Sequence, residues 1–123
     1  MAKPTSSELE ILQLLWRKKP QSVKEINEAI NKTKPTGYTT TLKIMQIMHD
    51  KGLVRRETQG KKHLYYPAVE ESDTQTALLD KLLDGVFKGS AQKLIMKALG
   101  TYKTSKEEID EIRKMLDKLD EGQ

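Results

Sequence analysis

The first half of the chain places apolar residues at the three- and four-residue spacings of amphipathic helices. Three such segments occupy about residues 7–18, 23–31 and 39–51, and they end in turn at Pro20, at a polar loop over 32–37 and at Gly52. We expect their inward faces to contain Leu9, Leu12, Leu15, Trp16, Val23, Ile26, Ile30, Leu42 or Thr41, Ile44, Met45 and Met48.

The pattern then shortens to a period of two, which is typical of strands. Residues 53–58 and 63–66 are rich in β-forming residues, residues 59–62 form a polar turn between them, and Pro67 ends the second strand. Residues 1–69 are thus predicted to form three helices followed by a hairpin. Their core should contain Leu12, Leu15, Ile26, Ile30, Met45, Met48, Val54 and Leu64.

The remaining residues return to helical spacing. Helices are expected over about 73–86, 91–99 and 106–120, and Gly100 should cap the second of them. Each has a narrow apolar stripe, and about 50 residues of this kind can hardly stabilise themselves alone. Because a second copy would cover the stripes, we predict dimerisation through Leu78, Leu82, Val86, Leu94, Ile95, Ile109, Ile112, Leu116 and Leu119.

Four helical segments begin near a serine that is followed three residues later by glutamate or glutamine. The pairs are Ser7 and Glu10, Ser22 and Glu25, Ser72 and Gln75, and Ser105 and Glu108. In a capping box of this kind, each side chain satisfies a backbone N–H that the helix start leaves free. The four pairs therefore predict where these helices begin.

The charge differs between the two halves of the chain. Residues 1–69 contain 13 Lys or Arg and 6 Asp or Glu, a net charge of +7. Residues 70–123 contain 9 Lys or Arg and 12 Asp or Glu, a net charge of −3. A basic half favours contact with a polyanion, and the acidic half must serve another purpose.

Three helices, a hairpin and a basic bias together predict a winged helix-turn-helix, which is a mainly α fold with a small β-wing. This DNA-binding domain would cover residues 1–69, and a helical dimerisation region would cover residues 70–123. The third helix would enter the major groove, where threonine and lysine suit phosphate or base edges and glutamine suits adenine. Basic wing residues would meet backbone phosphate. The predicted DNA-binding residues are Tyr38, Thr39, Thr40, Lys43, Gln46, Arg55, Arg56, Lys61 and Lys62.

These assignments have ordinary structural alternatives. The outward face of the third helix, which also carries Asp50, could be a solvated surface, and charge on the wing protects an edge strand. Tyr38 is assigned equally to phosphate contact and to packing. The alternative function is a winged-helix module that binds protein without DNA, although such a face should expose apolar anchors.

Composition removes several classes of function. The chain has no cysteine, which excludes disulfides and cysteine-bound zinc or iron–sulfur clusters. Its two histidines, His49 and His63, lack a metal-binding spacing, and no phosphate loop or nucleophile motif occurs. We therefore predict no metal, no cofactor and no enzymatic activity. No run of about 20 apolar residues is present, so we expect no membrane span. The lack of cysteine and of a signal-peptide pattern leads us to expect a cytoplasmic protein.

Several short motifs stand along the chain: Glu-Leu-Glu-Ile-Leu at 8–12 before Trp16, Gly-Tyr-Thr-Thr-Thr at 37–41, Asp-Lys-Gly-Leu at 50–53, and Phe-Lys-Gly at 87–89. The most specific is Tyr-Tyr-Pro-Ala-Val-Glu-Glu-Ser-Asp at 65–73. Together they resemble the motifs of the penicillinase-repressor (BlaI/MecI/CopY) family. The resemblance implies a homodimeric transcriptional repressor on a palindromic operator. It also implies that Thr39, Thr40 and Lys43 contact DNA and that the C-terminal helices form the dimer.

Two features of that family are missing. Members that respond to β-lactams are cut at an Asn–Phe bond in the fourth helix, where this chain reads Lys81-Leu82, and no Asn–Phe pair occurs in the sequence. Copper-responsive members carry a C-terminal cysteine motif, and this chain has no cysteine. The resemblance therefore predicts a repressor and leaves its releasing signal, sensor or protease open.

Overall fold

The computed structural model describes residues 3–122 and contains, over that range, six helices and one two-stranded antiparallel sheet. The elements are α1 (Ser6–Arg17), α2 (Val23–Asn31), α3 (Tyr38–Asp50), β1 (Val54–Gln59), β2 (Lys62–Pro67), α4 (Glu71–Gly85), α5 (Ala91–Thr101) and α6 (Lys106–Glu121). Their contacts divide the chain into a first unit that ends at Leu79 and a second unit that begins at Asp80. None of the helices in the described range is long and apolar enough to cross a membrane.

The core of the first unit joins the three helices to the base of the wing. It consists of Ile11, Leu12, Leu15, Val23, Ile26, Ile30, Met45, Met48, Leu53, Val54 and Tyr65. Seven of the eight predicted core residues are in this cluster. The eighth, Leu64, is wrong because it is only half-buried, whereas its neighbour Tyr65 is fully buried.

The register of the sheet explains this correction. Val54 pairs with Pro67 and Arg56 pairs with Tyr65, so these positions share one face of the antiparallel pair. Because Val54 is buried, this is the face toward the core. Leu64, one residue before Tyr65, therefore points to the other face.

Helix starts follow the capping pattern at two of the four predicted positions. Capping boxes at Ser22 with Glu25 and at Ser105 with Glu108 are confirmed. The prediction of Ser7 is wrong because Thr5 and Glu8 form the box two residues earlier, so Ser7 lies inside α1. Ser72 is also wrong, since α4 already begins at Glu71.

Glycines were predicted at the C-terminal ends of α3 and α5, and they occupy different positions in the two helices. Lys51 is the C-cap of α3, and Gly52 follows it. Gly52 has a φ of +81°, a conformation that a residue with a side chain adopts only under strain. Gly100, predicted as the cap of α5, instead lies within that helix, and Tyr102 caps it. At the other end of α5 the cap is Ser90, whose side chain accepts a hydrogen bond from the backbone N–H of Lys93.

Candidate nucleic-acid interface

The turn between α2 and α3 is fastened by two asparagine side chains. Asn27 donates to the carbonyl of Thr36 at 3.0 Å and to the hydroxyl of Thr41 at 2.8 Å. Asn31 donates to the same Thr36 carbonyl at 2.8 Å, and its own side-chain oxygen accepts from the Thr36 N–H at 3.0 Å. These bonds fix the loop immediately before α3 and thereby set the direction in which α3 leaves α2.

Thr41 belongs to the inward face of α3, together with Met45 and Met48. It is fully buried, and the bond from Asn27 satisfies its hydroxyl. The sequence allowed either Leu42 or Thr41 at this position, and the structure selects Thr41, with Leu42 half-buried beside it. Burying these three residues turns the opposite face of α3 toward solvent.

That opposite face carries most of the residues predicted to read DNA. Thr39, Thr40, Lys43 and Gln46 are all exposed, as is Asp50 at the far end of the helix. Ile47 lies among them and is 42% exposed, although the sequence analysis assigned it to neither face. The surface is therefore polar with one apolar side chain in its second half.

The wing is a tight hairpin whose tip is basic. Gly60 adopts a φ of +61° at the turn, and Lys61 and Lys62 follow it in exposed positions. The guanidinium of Arg55 lies 5.4 Å from the ring centroid of Tyr66, its partner across the sheet, which is within the range of a cation–π contact. Arg56 is exposed on the same strand.

A cleft of about 280 Å³ brings the start of α3 and the wing together. Tyr38, 51% exposed, lies on one side of it, and Lys61, Lys62 and His63 lie on the other. The remaining lining residues in the described part of the chain are Ser22, Val23, Lys24, Leu42 and Tyr65, so no carboxylate faces the cleft. The N-terminal ends of α2 and α3 add their positive partial charge to that of the lysines.

Two contacts support this arrangement from the core side. The backbone of Gln21 pairs with that of Tyr65 in both directions, at 3.1 and 2.8 Å, which attaches the wing to the connection between α1 and α2. The side chain of Gln21 also donates to the carbonyls of Leu14 and Lys18 at the end of α1. One residue therefore couples the base of the wing to the helices.

An ion pair holds the far end of α3 against the start of α1. The ammonium of Lys51 lies 2.7 Å from the carboxylate of Glu8, which is only 3% exposed. Burial alone would raise the pKa of Glu8, but the hydrogen bond from Lys51, the backbone N–H of Thr5 and the charge of Lys51 together lower the pKa below its ordinary value. Glu8 is therefore charged at neutral pH and anchors the C-terminal end of α3.

The residues predicted to form a dimer differ in how far their side chains are exposed to solvent. Leu82, Val86, Ile95, Leu116 and Leu119 are exposed, whereas Leu78, Leu94, Ile109 and Ile112 are half-buried. Other large side chains of the second unit that were not predicted are also exposed, namely Met96, Leu99, Tyr102 and Met115. Neither α5 nor α6 contains a buried residue.

Three packed helices followed by a two-stranded wing, with an exposed third helix, define a winged helix-turn-helix protein. More specifically, the chain belongs to the penicillinase repressor family, whose profile matches residues 4–118. The family consists of transcriptional repressors, so the resemblance stated from the motifs and the prediction that the chain is not an enzyme are confirmed.

Known relatives match over nearly the whole chain. The methicillin resistance regulatory protein MecI of Staphylococcus aureus strain N315 is 30% identical over 114 residues, which is 93% of each chain. Among solved structures, the DNA-binding domain of the repressor BlaI has a TM-score of 0.52 at 23% identity and covers 57% of this chain and 85% of its own. The Bacillus licheniformis BlaI monomer in complex with the blaP half-operator has a TM-score of 0.51 at 22% identity, with coverages of 58% and 88%. These two structural likenesses show the winged-helix fold.

Proposed function

We propose that this chain represses transcription as a homodimer that binds an inverted-repeat operator, with α3 of each copy in the major groove and the wing on the adjacent backbone. The observation that carries the proposal is the exposed face of Thr39, Thr40 and Lys43 beside a cleft that, among residues 3–122, is lined by lysines and by no carboxylate. This positive surface is complementary to the negative charge of a DNA backbone, and it offers hydrogen-bond donors to base edges. The relatives MecI and BlaI are regulators by name, and BlaI was solved with a half-operator.

The residues divide into two roles. One group lies at the cleft or on the wing and consists of Tyr38, Lys61 and Lys62, which line the cleft, and Arg55 and Arg56, which lie on β1. We assign this group to phosphate contacts, which position the protein without reading sequence. Thr39, Thr40, Lys43 and Gln46 stand along the outward face of α3, and we assign them to base edges. Arg55 stacks on Tyr66, which holds its guanidinium in place before DNA arrives.

Dimerisation is proposed through the exposed apolar residues of the second unit. Leu116 and Leu119 are 57% and 59% exposed on α6, and Val86 is 66% exposed just after α4. Apolar side chains in such number are stabilised when a second copy removes them from water. The inverted symmetry of the operator follows, because a two-fold dimer presents two copies of α3 in opposite directions.

Salt dependence tests the phosphate contacts. Full-length protein would first select its binding site from randomised duplexes, and the affinity for that site would then be measured from low to moderate salt. If each copy neutralises about four phosphates, log K should fall with log salt with a slope of roughly −7. The variant Lys61→Ala/Lys62→Ala should have a slope shallower by up to about 4 and an unchanged preference among sequences.

A matched variant controls for overall charge. Lys97→Ala/Lys103→Ala removes two exposed lysines from the second unit and changes the net charge by the same amount. Its slope should stay near that of the wild type. Equal slopes for both variants would contradict the assignment of the wing to phosphate, and failure to enrich any sequence would contradict the proposed function itself.

A further inference from the structure

Ile47 is an apolar side chain on the polar face of α3. It is 42% exposed, whereas Met48, which follows it, and Met45, two residues before it, are fully buried. A single exposed apolar residue is common on protein surfaces. Here, however, it lies in the middle of the surface that the proposed function places in the major groove, so its chemistry bears on which bases that surface can accept.

The spacing places Ile47 in line with two residues assigned to DNA. Thr40, Lys43 and Ile47 follow one another at intervals of three and four, which puts them along one side of the helix. All three are exposed. If Lys43 reaches the edge of a base pair, Ile47 stands four residues, about 6 Å, further along the same side of the helix.

Among the groups that the major groove displays, the C5 methyl of thymine is the apolar one. The other base edges present hydrogen-bond donors or acceptors, and an isoleucine placed against them would remove them from water and offer no partner. A branched aliphatic side chain can instead cover a methyl group. An isoleucine at this position therefore favours thymine for two reasons. It gains a contact with the thymine methyl group, and it incurs a desolvation penalty when it covers the polar edge of another base.

We propose that Ile47 determines specificity by packing against a thymine methyl group at one symmetric pair of positions in the operator. This inference rests on the proposed function and goes beyond it, since it names the base and the atom that a particular side chain recognises. It does not require any change in the phosphate contacts.

The test removes the methyl group without changing base pairing. Each thymine of the site selected by full-length protein would be replaced in turn by deoxyuridine, which lacks only the C5 methyl. Loss of one buried methyl contact should weaken binding about fourfold per half-site, or about 15-fold for both half-sites. We expect this loss at one symmetric pair of positions for the wild type and no loss there for Ile47→Ala.

Matched variants assign the effect to Ile47. Gln46→Ala, which removes a neighbouring side chain assigned to a base edge, should itself weaken binding but keep the full fold-loss on deoxyuridine substitution. Ile47→Val should keep most of that fold-loss. Because the deoxyuridine series uses the wild-type protein, the first part of the test does not depend on how well a variant folds.

The outcomes separate the two proposals. Deoxyuridine sensitivity that disappears only in Ile47→Ala supports the inference. If a site is bound but no thymine methyl matters, or if the same loss persists in Ile47→Ala, Ile47 does not read thymine and the proposed function stands. If no sequence is enriched, the proposed function fails and this inference fails with it.

Discussion

The two units of this chain differ in what their apolar residues contact. In the described part of the chain, eleven hydrophobic residues are buried, and all of them belong to one cluster in the first unit. In the second unit, α5 and α6 have no buried residue, and large side chains such as Met96 and Tyr102 are 64% and 72% exposed. The first unit therefore buries its hydrophobic residues within one chain, and we infer that the second unit buries its own only when two chains associate.

Two methionines test this difference most strongly. Met45 is fully buried in the first unit and Met115 is 58% exposed in the second. Met45→Ala should lower the free energy of unfolding by about 2–5 kcal/mol, because it removes buried contacts and leaves a cavity. Met115→Ala should change the stability of the dissociated chain by less than about 0.5 kcal/mol and should weaken dimerisation instead.

Urea unfolding at several protein concentrations distinguishes these effects. Trp16 is the single tryptophan of the chain, so its fluorescence reports the first unit, and circular dichroism reports both. The loss in Met45→Ala should be independent of protein concentration. An equally large, concentration-independent loss in Met115→Ala would show that the second unit has its own core within a single chain.

The ion pair between Glu8 and Lys51 should give the first unit a pH-dependent stability. The pKa of Glu8 is lowered in the folded chain, so folding favours its charged form. This contribution is present in full above the unfolded pKa, near the ordinary value of 4.5, and is lost as the pH falls through the lower folded pKa. Glu8→Gln keeps the side-chain oxygen of the capping box and removes the charge.

At neutral pH, Glu8→Gln should lower the free energy of unfolding by about 2 kcal/mol, which is typical of a lost hydrogen bond to a charged group. The difference from the wild type should begin to shrink below about pH 4.5 and should vanish once the pH falls below the lowered folded pKa, because Glu8 is then uncharged in both the folded and the unfolded chain. Glu28→Gln, which alters an exposed position on α2, is the matched control and should have little effect. A difference that stays constant down to low pH would contradict the role of the charge.

The smallest expected effect concerns an imperfection in the core of the first unit. The hydroxyl of Tyr65 is buried and has no hydrogen-bond partner among the described residues. Removing an unsatisfied polar group relieves its desolvation penalty, so Tyr65→Phe should raise the free energy of unfolding by about 1 kcal/mol. Tyr66→Phe is the control, because Tyr66 is half-buried with only a long bond of 3.4 Å to Glu57. Destabilisation by Tyr65→Phe in a thermal melt would show that the hydroxyl has a partner.

The comparison also explains what the sequence could predict. The bounds of α2 were predicted correctly because a capping box begins it and a polar loop ends it. The prediction that Leu64 lies in the core failed because the second strand has apolar residues on both faces, so the alternation does not say which face is buried. The two units have similar helical patterns in sequence, and only the three-dimensional contacts show which stripes are covered.

The sequence predicted which polar and basic residues the candidate interface exposes, but it did not predict the contacts that position α3. Exposed Thr39, Thr40 and Lys43 followed from the helical period. Asn27 and Asn31 were missed because side-chain bonds to a loop carbonyl leave no periodic pattern in the sequence. Ile47 was missed because the helical period places it on the polar face of α3, where an apolar residue was not expected.

The stoichiometry and symmetry of the DNA complex test the central claim most directly. Full-length protein would be bound to the duplex that it selects, and the mass of the complex would be measured by sedimentation or native mass spectrometry. We predict two chains on one duplex, and an inverted repeat whose half-sites lie about one helical turn apart or a multiple of it. A single chain bound to a site without inverted symmetry would contradict the account of a dimeric repressor assembled through its second unit.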